Sequence, residues 1–238
     1  MAVFTPENGF GGPDGLAYDA GQRNRLNTRH RAFIEPVADR IRDARLLDLA
    51  SHDGRWSLAA LRAGAAHVTG IEVRQDLIDR APRILSRDEQ ARTRFIQGDV
   101  FEVMPQLLAA GDRFDVIFCL GLFYHVMDHD RMLRQMLAFR PRLVVFDSTL
   151  AASDQPMILV GQENTDSHLN AAPGQHAGNR ATIGFVSRPA LNIMCRNYGY
   201  GVDYVDWEAL DLPDTAKLDG YFRKNAPTRR YSAFLTPL

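Results

Sequence analysis

The chain has 238 residues, 45% of them hydrophobic, and a formal net charge of −1. That length and apolar content suit one α/β domain with a full core, and charges of mixed sign leave no block that would mark a nucleic-acid arm or an acidic tail. Two cysteines, Cys119 and Cys195, are too few for a disulfide framework or a Cys-rich zinc site, so a reducing compartment is expected. The first residues lack the basic and apolar regions of a signal peptide, and no apolar stretch approaches the roughly 18 residues of a membrane span. A cytoplasmic protein with no membrane partner is the expectation.

In chain order, residues 1–22 are rich in Gly and Pro and read as an arm, or as a lid that orders over a ligand. From about Asn24 to Arg42, Leu26, Phe33, Ile34, Val37, Ala38 and Ile41 recur at helical spacing and predict one amphipathic helix. Residues 1–43 are thus set apart from a main domain over 44–238. Short apolar runs at Leu46–Ala50, His67–Ile71, Arg94–Ile96, Val116–Leu120 and Leu143–Phe146 predict buried strands, with helices near 55–64, 75–87, 101–110 and 129–139. Such alternation predicts right-handed βαβ units and a mostly parallel sheet with helices on both faces. Residues 151–182 are polar and read as an inserted loop, too long to be idle in a compact domain. Ser187-Arg188-Pro189 predicts a helix start, and Val202–Val205 and Tyr231–Leu235 two late strands, one of them antiparallel.

The informative stretch is Leu46-Leu47-Asp48-Leu49-Ala50-Ser51-His52-Asp53-Gly54. A strand ends in an acid, a tight turn follows, then a helix. Glu72 ends the second strand, Gln97-Gly98-Asp99-Val100 follows the third, and Phe114-Asp115-Val116-Ile117-Phe118-Cys119 forms the fourth. These four ordered signals resemble class I S-adenosylmethionine-dependent methyltransferases, whose first motif is written D-x-G-x-G-x-G. Asp48 and Gly54 match it, and Ala50 and His52 stand where the first two glycines would be. The resemblance implies a Rossmann-like fold. It also implies S-adenosyl-L-methionine held by Asp48, Ala50, Ser51, Gly54, Glu72, Asp99, Val100, Cys119 and Arg230. Glu72 would meet the ribose hydroxyls and Asp99 the adenine amino group, while Ala50 would lie beside the amino-acid tail and His52 would point away. A nicotinamide dinucleotide fold shares the first two signals, but its G-x-G-x-x-G is absent.

Cys119-Leu120-Gly121-Leu122-Phe123-Tyr124-His125, Phe185–Leu191, Gly220-Tyr221 and Arg229-Arg230 also resemble the wobble-uridine tRNA carboxymethyltransferase family. That narrower resemblance implies carboxy-S-adenosyl-L-methionine, with Tyr124 and Arg230 on its extra carboxylate. Plain small-molecule methyltransferases share the Tyr-His pattern.

Methyl transfer aligns an acceptor and disposes of one proton. For an alcohol, a base of near-neutral pKa helps, so His125 is the candidate base or acceptor-orienting group, against a structural role capping the next helix. Tyr124 lines the reaction centre or is a core aromatic. Glu163, Asp166, His168 and His176 have ligand chemistry, but their spacing matches no metal motif, and no metal is expected. The leading expectation is a methyltransferase acting on a small molecule, an oxygen of a sugar or specialised metabolite. A tRNA-modifying transferase and a non-catalytic cofactor-binding protein are the alternatives.

Overall fold

The computed structural model describes residues 2–11, 15–172, 178–212 and 217–238. Chain order among these is α1 (Ala20–Phe33), α2 (Ala38–Ile41), β1 (Arg45–Leu49), α3 (Arg55–Arg62), β2 (His67–Glu72), α4 (Gln75–Ile78), α5 (Arg87–Ala91), β3 (Thr93–Gln97), α6 (Val100–Ala109) and β4 (Val116–Leu120). There follow α7 (His129–Leu137), β5 (Leu143–Ala151), β6 (Ile158–Asn164), β7 (Arg180–Val186), α8 (Arg188–Asn197), β8 (Tyr200–Tyr204), α9 (Asp219–Phe222) and β9 (Thr228–Pro237).

Seven strands form one sheet in the order β3-β2-β1-β4-β5-β9-β8. The first five run parallel, and β9 lies antiparallel between β5 and β8. This is the expected Rossmann-like sheet with its reversed late strand. Successive residues of a strand face opposite sides, so Leu46, Val116, Phe118 and Val145 join the core under α1 and α3. Leu47, Ile117, Cys119 and Val144 join the core under α6, α7 and α8. The order reverses between β1 and β4, and open α/β sheets bind ligands in the crevice at such a point, beyond the carboxyl ends of the strands.

Four expectations change. The helix expected near 75–87 is α4, a 3-10 turn over Ala81–Arg83 that holds Pro82, and the start of α5. The single N-terminal helix is broken: α1 begins earlier, at an Asp19–Gln22 capping box, and ends before Pro36, which disfavours helical backbone at the preceding residue. The described N-terminal residues are not a free arm, for Phe4 and Phe10 are buried and pack edge-to-face 5.0 Å apart, with Phe4 against Trp56 at 5.2 Å. Within the segment expected as loop 151–182, β6 and β7 begin a separate antiparallel hairpin, Ile158 pairing with Val186 and Asn164 with Arg180. The start of α8 is as expected, the Ser187 hydroxyl accepting from Ala190 N–H at 3.3 Å with Pro189 in the first turn.

Candidate active site

The turn after β1 carries three residues in the left-handed region: Ala50 at φ 54°, His52 at φ 54° and Gly54 at φ 78°. These are the positions where the resembled motif has glycine. The backbone shape is kept although two side chains are added, at a cost of about 1–2 kcal/mol for each non-glycine residue. A dense set of bonds holds it. Ser51 N–H donates to the Ile71 carbonyl at 2.9 Å, and His52 N–H to Glu72 Oε2 at 2.9 Å. Arg55 grips Asp53 from Nε at 2.6 Å and Nη2 at 2.7 Å, while Tyr18 OH donates to Asp53 Oδ2 at 2.9 Å. Burial alone would raise the Asp53 carboxyl, but Arg55 and His52 hold it well below the usual range.

A cavity of about 640 Å³ opens at the switch point. Of the residues singled out from sequence, Ala50, Glu72, Asp99, Val100, Tyr124, His125 and Arg230 line it. Asp48, Ser51, Gly54 and Cys119 do not. Asp48 is buried beneath the turn and accepts from Ser57 Oγ at 2.7 Å, and its burial pushes the carboxyl up to about 7. The Ser51 hydroxyl is buried with no hydrogen-bond partner among the described residues, close to Gly70. Gly54 precedes α3, where a Cβ would meet Phe95 and Ala81 at 3.0 and 3.1 Å. Cys119 is core, its thiol pushed up to about 12 by burial. His52, expected to point away, lines the cavity; its Nδ1 accepts from Asp53 N–H at 2.8 Å and lies 2.6 Å from Arg55 Nη2.

Glu72 is fixed by two backbone donors, His52 N–H and, at 3.0 Å, Arg74 N–H, one on each oxygen. Each carboxylate oxygen keeps a second lone pair. Asp99 caps α6, accepting from Phe101 N–H at 2.8 Å, and still lines the cavity.

Beyond β4, a short 3-10 turn over Phe123–His125 carries the Tyr-His pair. The rings of Tyr124 and His125 lie 3.9 Å apart, and Phe185 of β7 is nearly parallel to Tyr124 at 6.0 Å. His125 Nδ1 pairs with Glu163 Oε1 of β6, and both side chains are largely buried. Ala171 N–H donates to the same carboxylate oxygen at 2.7 Å. Sequence reasoning placed Glu163 among metal-ligand types; the hairpin instead makes it the partner of His125. His168 lies 3.4 Å from Asp76, and His176 falls outside the described residues.

Asp147, at the end of the expected fifth strand, is fully buried between Arg29 and Arg230. Burial would raise its carboxyl, but the two guanidinium groups, Ser232 and Tyr221 keep it far below the ordinary carboxylate range. Arg25 and Arg29 of α1 line the cavity too. Neither was singled out from sequence, although their i,i+4 spacing places them on one helix face.

Residues 42–172 match the family described as methyltransferase domain. Ribosomal RNA large subunit methyltransferase I of Pseudoalteromonas translucida is 35% identical over 89 residues, 37% of this chain and 22% of that enzyme. The chain thus spans about a fifth of the length of the curated relatives it matches. The N-terminal domain of EvdMO1 with S-adenosylhomocysteine bound superposes with a TM-score of 0.61 at 18% identity, covering 92% of this chain and 82% of that one. An S-adenosylmethionine-dependent methyltransferase from Mesorhizobium loti gives 0.58 at 15% identity, covering 84% and 96%. At these identities the structural likeness carries the fold.

Proposed function

This chain belongs to the methyltransferase domain family, and from that premise we propose that it methylates an oxygen of a small-molecule acceptor, with His125 as the base. It is an S-adenosylmethionine-dependent methyltransferase, and its cavity suits that cofactor. About 300–1,000 Å³ is usual for such ligands, Glu72 has spare lone pairs at one wall, and Gly98 and Gly121 are among the lining residues. Glu72 would take the ribose hydroxyls, Asp99 and Val100 the adenine, and the Ala50 turn the amino-acid tail. Bound there, S-adenosylmethionine supplies an activated methyl group whose displacement leaves a neutral thioether.

The observation that carries the reading is the His125–Glu163 pair. A carboxylate can only accept, so Nδ1 of the neutral ring holds the proton and donates it. The ring's lone pair is then on Nε2, which makes no hydrogen bond among the described residues. An acceptor hydroxyl placed at Nε2 gives up its proton there as its oxygen gains the methyl. Glu163 fixes the tautomer and steadies the imidazolium that forms, which makes it a positioning residue.

The test is release of S-adenosylhomocysteine with hydroxylated metabolites offered as acceptors. His125→Gln should lower kcat by about 10²–10⁴-fold with S-adenosylhomocysteine affinity nearly unchanged. Glu163→Gln should lower kcat less, with the acceptor KM and S-adenosylhomocysteine affinity nearly unchanged. Full activity in His125→Gln would sink the base assignment.

A further inference from the structure

Asp147 has no capacity left. Oδ1 accepts from Arg29 Nη2 at 2.9 Å and Arg230 Nε at 2.6 Å, and Oδ2 from Tyr221 OH and Ser232 Oγ, each at 2.6 Å. With Arg230 Nη2 also on Oδ1, these donors fill its lone pairs. Arg25, one helical turn before Arg29, is half-buried on the same cavity and makes no hydrogen bond or ion pair among the described residues. Burial and the neighbouring charges of Arg29 and Arg230 lower its pKa to about 10. Three guanidinium groups therefore face one carboxylate.

A second cavity of about 410 Å³ shares Arg25 and Arg230 as lining, together with Lys217, Arg223 and Arg229, and its acidic lining residue is Asp219. Lys217 is paired with Asp19 and Arg229 with Glu208, so the positive excess that continues past the first cavity is carried by Arg25, Arg223 and Arg230 against Asp219. The cofactor does not cancel it, since its amino-acid tail is a zwitterion and its sulfonium adds a positive charge. Partly desolvated cations need an anion, and with plain S-adenosylmethionine as the cofactor the acceptor is left to supply one.

We propose that Arg25, with Arg29 and Arg230, binds an oxyanion of the acceptor, a carboxylate or a phosphate ester, so that the substrate is an acidic metabolite such as a sugar acid or sugar phosphate. This rests on the methyl-transfer reading of the cavity and adds the chemical class of its substrate.

Calorimetry on protein saturated with S-adenosylhomocysteine tests it, with D-glucuronate, D-glucose 6-phosphate and neutral D-glucose as probes. At least one charged sugar should bind about tenfold or more tighter than glucose, and Arg25→Gln should remove that margin. Arg25→Lys should keep part of it. S-adenosylhomocysteine affinity should change less than about twofold in Arg25→Gln, because loss of charge-assisted hydrogen bonds falls on the acceptor alone. The melting temperature of Arg25→Gln should hold or rise as repulsion from Arg29 and Arg230 is relieved, which separates lost binding from lost fold.

Equal or undetectable binding of charged and neutral sugars overturns the proposal. So does a variant that binds S-adenosylhomocysteine weakly but 5′-methylthioadenosine normally, which would assign Arg25 to the cofactor's own carboxylate. Binding of a short single-stranded RNA in preference to every sugar, with steep salt dependence, overturns it in favour of a polynucleotide. None of these readouts uses turnover, so a failed assignment of His125 leaves them standing, and their failure leaves the His125 assay standing.

Discussion

Ala50 and His52 hold left-handed backbone where the resembled motif has glycine. Nothing about an Ala or a His in sequence announces that conformation; Asp48 and Gly54 at the ends of the turn mark the motif, and the bonds to Ile71 and Glu72 enforce its middle. Beneath the turn, Asp48 gives a pH signature. Burial raises its folded-state carboxyl to about 7, with Ser57 opposing and Glu72 reinforcing, whereas an unfolded Asp titrates near 3.9. The folded protein binds this proton more tightly. Its contribution to stability is therefore full below about pH 4 and lost as pH rises to about 7. Asp48→Asn fixes the neutral state and can still accept from Ser57. Urea denaturation should show the variant gaining on wild type between about pH 4 and 7, by on the order of 2–4 kcal/mol, and level above that. A difference that does not vary with pH would mean that Asp48 is ionised or solvated in the fold. Tyr124, His125, Glu72 and Asp99 were legible because each follows a predicted strand. Glu163 and Arg25 were not, because the first meets His125 only where the β6–β7 hairpin packs on the turn after β4 and the second shows its isolation only beside a saturated Asp147.

At the scale of elements, the β6–β7 hairpin carries Glu163, the partner of His125. Gly184 of β7 lies against Met127 and His129, the first residue of α7, whose Nε2 is 3.1 Å from the Gly184 carbonyl. An added Cβ there would sit 2.5 Å from His129 Cε1 and 3.0 Å from Met127 Sδ. His129 is itself buried, so Gly184→Ala must displace the hairpin and move Glu163 away from His125. The cost should be about 1–3 kcal/mol of stability, with turnover reduced, S-adenosylhomocysteine affinity retained and faster amide exchange across the hairpin. Unchanged turnover would detach the hairpin from the chemistry. Sequence pattern missed this element for a physical reason. The residues of β6 alternate between exposed and half-buried, so no apolar face marks it. Gly161 further disguises it, its missing side chain leaving room for the Phe185 ring, which a Cβ would approach to 2.9 Å. The parallel strands were legible since both faces are buried and they read as apolar runs. Helix breaks at Pro36 and Pro82 were hidden beneath helical spacing that continues across them.

For the whole molecule, the sheet separates two apolar cores, and the cavity lies where α1, the turn after β1, the ends of β2 and β4 and the hairpin region meet. Filling it should therefore couple to global unfolding. A ligand at 100 times its dissociation constant adds about 2.7 kcal/mol to a fold that binds it only when native. For a domain of this size each kcal/mol is worth roughly 2–4 °C, so S-adenosylhomocysteine at that level should raise the melting temperature by about 5–10 °C. Glu72→Gln separates two contributions. The amide can accept from only one of the His52 and Arg74 N–H donors and turns its own N–H₂ toward the other, so the ligand-free variant should melt lower. That loss does not depend on ligand. Replacing the charge-assisted contact to the ribose should weaken binding by about 1.5–3 kcal/mol. At the same S-adenosylhomocysteine concentration the increment in melting temperature should then fall to a few degrees at most, roughly 4 °C, and recover only at concentrations about 10–100 times higher. If the increment matches wild type at every concentration while the ligand-free protein melts lower, Glu72 supports the turn and does not touch the cofactor.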